Sequence, residues 1–333
     1  VLDWYKPRDE ERQKLALAVS QHEATRPKPS LVKMLICSEG VPAVRLHTQG
    51  PDFYEKTFVL KRGDPNQKVT EAETRYVSVL SQHEDGPKRW MVSPPATAKT
   101  SFRRAALANW VTDVKHGAGV LASRVIVNRL WQHHFGRGLV ATPSDFGTQG
   151  ARPSHPELLD YLASELIDSG WKLKHMHKGM LMSAAYQQSA HVDGAKASID
   201  PENQWLSRFA TRRLEAEIIR DSMLAVSGKL DPKLFGPGSL DMNMNRRSIY
   251  FFIKRSQLIP VLSLFDAPDT LQDLAMRSRT TVAPQALLMM NSPIVRSYAE
   301  GLATRSRSQS DASLIARIQQ VYEICFSRKA TQS

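Results

Sequence analysis

The chain has 333 residues and a mass of 37.4 kDa, with 41% hydrophobic and 23% charged residues, enough to bury a sizeable core without staples. No apolar run approaches the roughly 18 to 20 residues that span a bilayer. The formal net charge of +12 favours anionic partners, but the cations are interleaved with Asp and Glu and no aromatic RNA-binding signature is present, so a nucleic-acid reader is not expected.

The first hundred residues read as a mixed α/β region. A helical pattern runs from Glu10 to Glu23, and LVKMLICSE, AVRLHT and KTFVLKRGD have the β-branched character of short strands punctuated by Gly40, Gly50, Gly63 and Pro65. VSPPATAKTS then reads as a linker, with Ser101 placed to cap the next helix.

Residues 101–333 read as a helical domain with one inserted strand. Ala122, Ile126, Leu130 and His134 form one i, i+4 row and Val127, Trp131 and Phe135 the next, predicting a helix that stops at Gly136, with Arg124, Asn128 and Gln132 as a polar row beside them. Ser154 and Glu157 match a capping box opening a helix that buries Leu158, Leu159, Leu162, Leu166 and Ile167 and stops at Gly170. Further helices are expected from Leu173 to Gln188, from Arg212 to Ser227 and after Pro284, with Pro293 in a first turn and Asp311 as a cap of the last helix. RSIYFFIKR, residues 247–255, breaks the helical trend and predicts a strand joining the amino-terminal sheet. The fold class expected is mainly α with a small sheet.

Six of the ten histidines lie between His116 and His177. His133 and His134 diverge on a helix, so His134, in the apolar row, reads as a buried histidine satisfied by a hydrogen bond. His175 and His177 would chelate one ion from a strand but diverge on a helix, and no metal ligand set is assigned. The loop TPSDFGTQGARPSHPE holds Asp145, His155 and Glu157, where a carboxylate and an imidazole could shift each other's protonation; turn and cap roles are the competing reading.

In TRRLEAEIIRDSML, Arg213, Glu217 and Asp221 recur at i, i+4 and i+8 with Arg220 beside them, either a solvated salt-bridge stripe or a site. Candidate catalytic residues are therefore Asp145, His155, Arg213, Glu217 and Asp221, and candidate substrate contacts are Arg124, Asn128, Arg129 and Arg220. The chain has neither GxSxG nor GxxxxGK[ST] nor GxGxxG, which leaves serine-elbow, phosphate-loop and dinucleotide readings without support. Cys37 and Cys325 read either as one long-range bridge or as two buried thiols, and without CxxCH the chain cannot attach haem c by that motif. Val1 without a signal-peptide pattern reads as the start of a fragment or processed product.

VNRLWQHHFGRGLVATPSDFG, PSHPELLDYLASELIDSGWKLKHMHK, SAAYQQS, DPENQWLSRFATRRLEAEIIRDSMLAVSGKL, RRSIYFFIKR and RTTVAPQALLMMNSP together resemble the carboxy-terminal domain of unknown function of large planctomycete proteins, over about residues 60–328. Ser207 and Lys178 depart from it, where Trp and Arg are usual. The resemblance implies an extracytoplasmic multidomain protein that also carries a cytochrome c domain and accompanies polysaccharide breakdown. No cofactor is then expected within this chain; haem c would sit in another domain or partner. The partners implied are other domains of the same polypeptide, a cytochrome-bearing chain or a polysaccharide. Three functions are then open: a helical scaffold or docking domain, an acid/base or metal-assisted enzyme on a sugar or anionic substrate, and a polyanion-binding protein.

Overall fold

The computed structural model describes residues 9–26, 57–81, 86–98, 100–254, 256–268, 274–307 and 313–331. Within them the protein is mainly helical with one two-stranded sheet, as its periodicity predicts. Helix α1, Glu10–Thr25, is capped by the Asp9 carboxylate and buries none of its side chains. Strands β1, Phe58–Leu60, and β2, Lys68–Glu71, pair antiparallel with a bulge between Val59 and Leu60. Their connection turns through Arg62 and Gly63 at positive φ, and the Asp64 carboxylate accepts from the Asn66 N–H at 2.9 Å. The two expected strands before Pro51, and Cys37, lie outside the described residues.

Helix α2, Arg103–Thr112, opens with the Ser101 hydroxyl accepting from the Arg103 N–H at 3.3 Å. Its Trp110 joins Trp90 and Ala118 in a small core against which Tyr76 and Leu80 pack, so residues on both sides of position 100 share apolar contacts. Asp113 holds that corner together. It accepts from the Trp90 indole at 3.0 Å and from the N–H groups of Lys115 and His116. Burial works against its charge, but these donors and Arg89 outweigh it and bring the carboxyl down to about 2.

The main core is made by α3, Gly119–Phe135, α4, Pro156–Asp168, and α5, Leu173–Leu181. Val127, Trp131 and Phe135 meet Leu159, Leu162, Leu166, Met176 and Met180, each nearly or fully buried. At about 1.5–3 kcal/mol per buried large apolar side chain, this is the dominant stabilising contribution. Helix α3 stops where expected, at Gly136 with φ 91°. Helix α4 ends in a paired motif in which Gly170 N–H donates to the Ile167 carbonyl and Trp171 N–H to that of Leu166. Its start differs from the expected capping box, because the Ser154 hydroxyl turns to the Leu139 carbonyl and His155, and Pro156 begins the helix without a side-chain cap.

Beyond a short helix α6, Gly194–Ile199, the carboxy-terminal part is built on α7, Ala216–Val226, which packs against α8, Pro260–Leu264, and α10, Pro293–Arg307. Helices α9, Ala283–Asn291, and α11, Leu314–Phe326, flank α10. Ser313 caps α11 through the Ala316 N–H; Asp311 lies outside the described residues. The strand expected at 247–255 does not form. Ser248–Tyr250 is a 3-10 turn, and the segment bonds to Ser239, whose N–H reaches the Tyr250 carbonyl at 2.9 Å and whose carbonyl accepts from Phe252 at 2.8 Å. The β-branched and aromatic pattern is overridden where side chains of α7 take the Ser248 N–H and the carbonyls of Met244 and Arg246 just before it.

Candidate functional site

Arg220 and Asp221 of α7 show how. The Arg220 guanidinium is almost completely buried over the Phe251 ring, 4.6 Å from its centroid, and donates to the carbonyls of Arg246, at 3.0 Å, and Met244. Burial lowers the pKa of this guanidinium, while Tyr298 and Asp221 act in the opposite direction. The Asp221 carboxylate accepts from both the N–H and the hydroxyl of Ser248 at 2.7 Å. Together the pair fastens loop 244–248 onto the helix.

Along α7 the expected charge stripe pairs only between the neighbours Arg220 and Asp221, 3.5 Å apart, and Arg213 precedes the helix. Each member also bonds outward. Arg213 pairs with Asp266, which also accepts from the Thr280 N–H at 2.7 Å and hydroxyl at 2.8 Å. Burial opposes ionisation of Asp266, but Thr280 and Arg213 prevail and lower its pKa. Glu217 meets Arg277 at 2.8 Å, which also reaches Glu215 at 3.1 Å.

Glu217 and Asp221 do share one solvent-open cleft of about 730 Å³, with Arg247, Lys254 and Arg277 among its charged lining. Its walls are apolar, including Ile218, Ile249, Phe252 and Leu258. Ile249, Phe252 and Ile253 are 73%, 56% and 79% exposed, an unusual degree for adjacent large apolar side chains.

The other candidates lie elsewhere. Asp145 caps its own loop by accepting from the Gly147 N–H at 2.9 Å. His155 lines a separate cavity of about 290 Å³ with Arg137, Arg152 and Glu202, its Nδ1 2.9 Å from the Ser154 hydroxyl and its ring edge-on to Trp205. Arg124 pairs with Asp160 at 2.8 Å on the wall of a third cavity, Arg129 is exposed, and Asn128 is fully buried with both ends of its amide bonded to Val140. The nine candidates thus fall into groups: Glu217 and Asp221 share the cleft, with Arg220 and Arg213 beside them, while Asp145, His155 and the α3 residues have different surroundings.

A family model matches residues 103–333. The chain belongs to the PSD1 family of proteins of unknown function (DUF1553). The match begins at the first residue of α2 and takes in the main core, α7 and the cleft of this PSD1 domain. No curated protein and no solved structure matches the chain.

Sequence reasoning misses several residues that the PSD1 fold brings together. Asp266 is signalled only by a single carboxylate within the apolar stretch LSLFDAP, and Arg277 and Ser248 carry no signal in their spacing. His134 meets His177 with its Nε2 2.8 Å from Nδ1, edge-on to the Tyr186 ring. These two imidazoles stand 43 positions apart in the chain and belong to separate sequence patterns. Burial lowers the pKa of His134, helped by His177, Arg212 and His133. His175, the other half of the HxH pair, faces away to Glu165 at 2.5 Å. Among the described residues no group of three or more His, Cys, Asp or Glu is arranged to hold a metal ion, and no helix is long and apolar enough to cross a membrane.

Proposed function

We propose that this PSD1 domain is a helical scaffold that docks onto other domains of an extracytoplasmic, multidomain protein linked to a c-type cytochrome and to polysaccharide processing. One observation carries the docking reading: among the described residues, large apolar side chains left exposed outnumber those buried. Single exposed apolar residues are ordinary, whereas contiguous ones mark surfaces that another polypeptide covers. Here they gather on the cleft through Ile249, Phe252, Ile253 and Leu258, and on the carboxy-terminal helices through Leu287, Met290, Ile294, Leu314 and Ile315. The ionisable candidates support the same reading. Arg220, Glu217 and Asp221 fasten neighbouring segments to α7, and Arg213 ties the stretch before it to Asp266, which is how a rigid platform is built. Without CxxCH the chain has no thiol pair for covalent haem attachment, so the haem of such a protein belongs to another domain or chain.

Hydrogen–deuterium exchange tests the proposal by comparing the chain alone with the intact polypeptide that carries it. Residues 249–253 and 287–294 are expected to exchange more slowly in the longer protein; equal exchange in both would overturn the docking reading.

A second reading, an acid/base or metal-assisted enzyme, rests on Glu217 and Asp221 lying one helical turn apart in the same open cleft. Glu217→Gln and Asp221→Asn would then each abolish turnover of a sugar or anionic substrate while leaving the circular dichroism spectrum unchanged.

A further inference from the structure

We propose that His134 and His177 form a two-imidazole seat for a divalent first-row transition-metal ion. Their facing nitrogens, His134 Nε2 and His177 Nδ1, are 2.8 Å apart, and the contact involves no carboxylate or carbonyl. One of the two carries the hydrogen between them and the other offers its lone pair. A tetrahedral ion bound at about 2.0–2.1 Å to two nitrogens needs them roughly 3.3 Å apart. An opening of about 0.5 Å, within reach of small side-chain rotations, therefore converts the hydrogen bond into a chelate.

The surroundings fit such an ion in three ways. The rings project from α3 and α5, two helices packed in the same core, so the seat is organised before the ion arrives. His134 lies in the last turn of α3, where the carbonyl end of the helix favours positive charge. Both residues are half-buried, so the seat is partly shielded from bulk water. Imidazole donors suit zinc, copper and nickel, with water completing the coordination. Arg212, bonded to the His133 carbonyl at 2.7 Å, opposes the ion with its own charge and weakens the affinity. Binding replaces the shared hydrogen, which moves to the other nitrogen of the same ring by exchange with water, so the neutral pair releases no net proton.

Isothermal titration of Zn²⁺ into the protein at pH 7.5 is expected to show one saturable site. His134→Ala and His177→Ala should each weaken it at least tenfold. His175→Gln should leave it unchanged, which separates this pair from the HxH surface and from Glu165. Electron paramagnetic resonance of the unsubstituted protein with one equivalent of Cu²⁺ should show superhyperfine coupling to two imidazole nitrogens, a readout that requires no variant to fold. Absence of a saturable site, uptake that survives both alanine substitutions, or coupling to fewer than two imidazoles would each overturn the assignment.

Discussion

Asn128 and Val140 exchange two hydrogen bonds deep in the main core: the Asn128 amide donates to the Val140 carbonyl at 3.0 Å and its oxygen accepts from the Val140 N–H at 2.8 Å. Helix α3 and the bent return after it are joined by this pairing rather than by backbone alone. Gly138 is pressed against it, since a β-carbon there would stand 2.6 Å from the Val140 carbonyl oxygen and 2.7 Å from the Asn128 amide nitrogen.

Asn128→Leu would leave the Val140 N–H and carbonyl unpaired in the core, at about 1–3 kcal/mol for each unsatisfied group. The expected loss is therefore about 2–6 kcal/mol in urea unfolding. Gly138→Ala should also destabilise, by forcing the same pairing apart. A wild-type midpoint for both variants would show that the pairing contributes little.

Arg220→Met removes the charge that fastens loop 244–248, while Arg220→Lys keeps a charge but loses the planar fork over Phe251. Leaving Asp221 without its neighbour and two carbonyls without donors should cost about 3–5 kcal/mol in the methionine variant. The lysine variant should also fall below wild type in thermal melting. Proteolysis should then cut first within 244–254, and cleavage elsewhere would argue against this anchoring role.

Acid should loosen the corner around Asp113 over a range that extends below the one in which ordinary carboxylates are neutralised. Because its folded pKa is lowered from 3.8 to about 2, its stabilising contribution is present above the unfolded value and is lost as pH falls from about 4 towards 2. Asp113→Asn should flatten that part of the stability curve measured by urea titration at successive pH values. An unchanged slope would locate the acid sensitivity elsewhere.

His134 gives a second acid-sensitive step near neutrality. Its pKa is lowered in the folded protein by burial and by His177, Arg212 and His133, so protonation favours unfolding and stability declines as pH drops through the ordinary histidine range near 6.5. The imidazole resonances followed by NMR should give His134 a midpoint below that of an exposed histidine. His134→Phe should remove this limb, and its persistence in that variant would assign it to another histidine.

Local patterning makes much of the fold legible in the chain alone. The rows through Val127 and Leu159 mark α3 and α4 because helical periodicity and core burial agree there, and Gly136 and Gly170 mark their ends because both need positive φ. The pattern at 247–255 is misleading for an equally physical reason. Aromatic and β-branched residues suit a strand only where neighbouring backbone groups supply the pairing, and here Asp221 takes the Ser248 N–H while Arg220 takes the carbonyls just before it.

The candidate residues divide along the same line. Spacing by one helical turn puts Glu217 and Asp221 on one cleft because that relation is internal to a helix. Whether Asp145 or His155 would join them depends on contacts far apart in sequence, and the fold leaves them in other surroundings.

By itself the sequence determined the helical character, the ends of α3 and α4 at Gly136 and Gly170 and the identity of the apolar faces, since these arise from residue type and periods of a few residues; the helices expected over Leu173–Gln188 and Arg212–Ser227 are shorter, ending at Leu181 and beginning at Ala216. Only the tertiary structure decided that Arg213 meets Asp266, that His134 meets His177 and that Asn128 is spent on Val140. Such pairings depend on which faces pack together and how the turns between them aim the chain, and neither is encoded at the range over which periodicity acts.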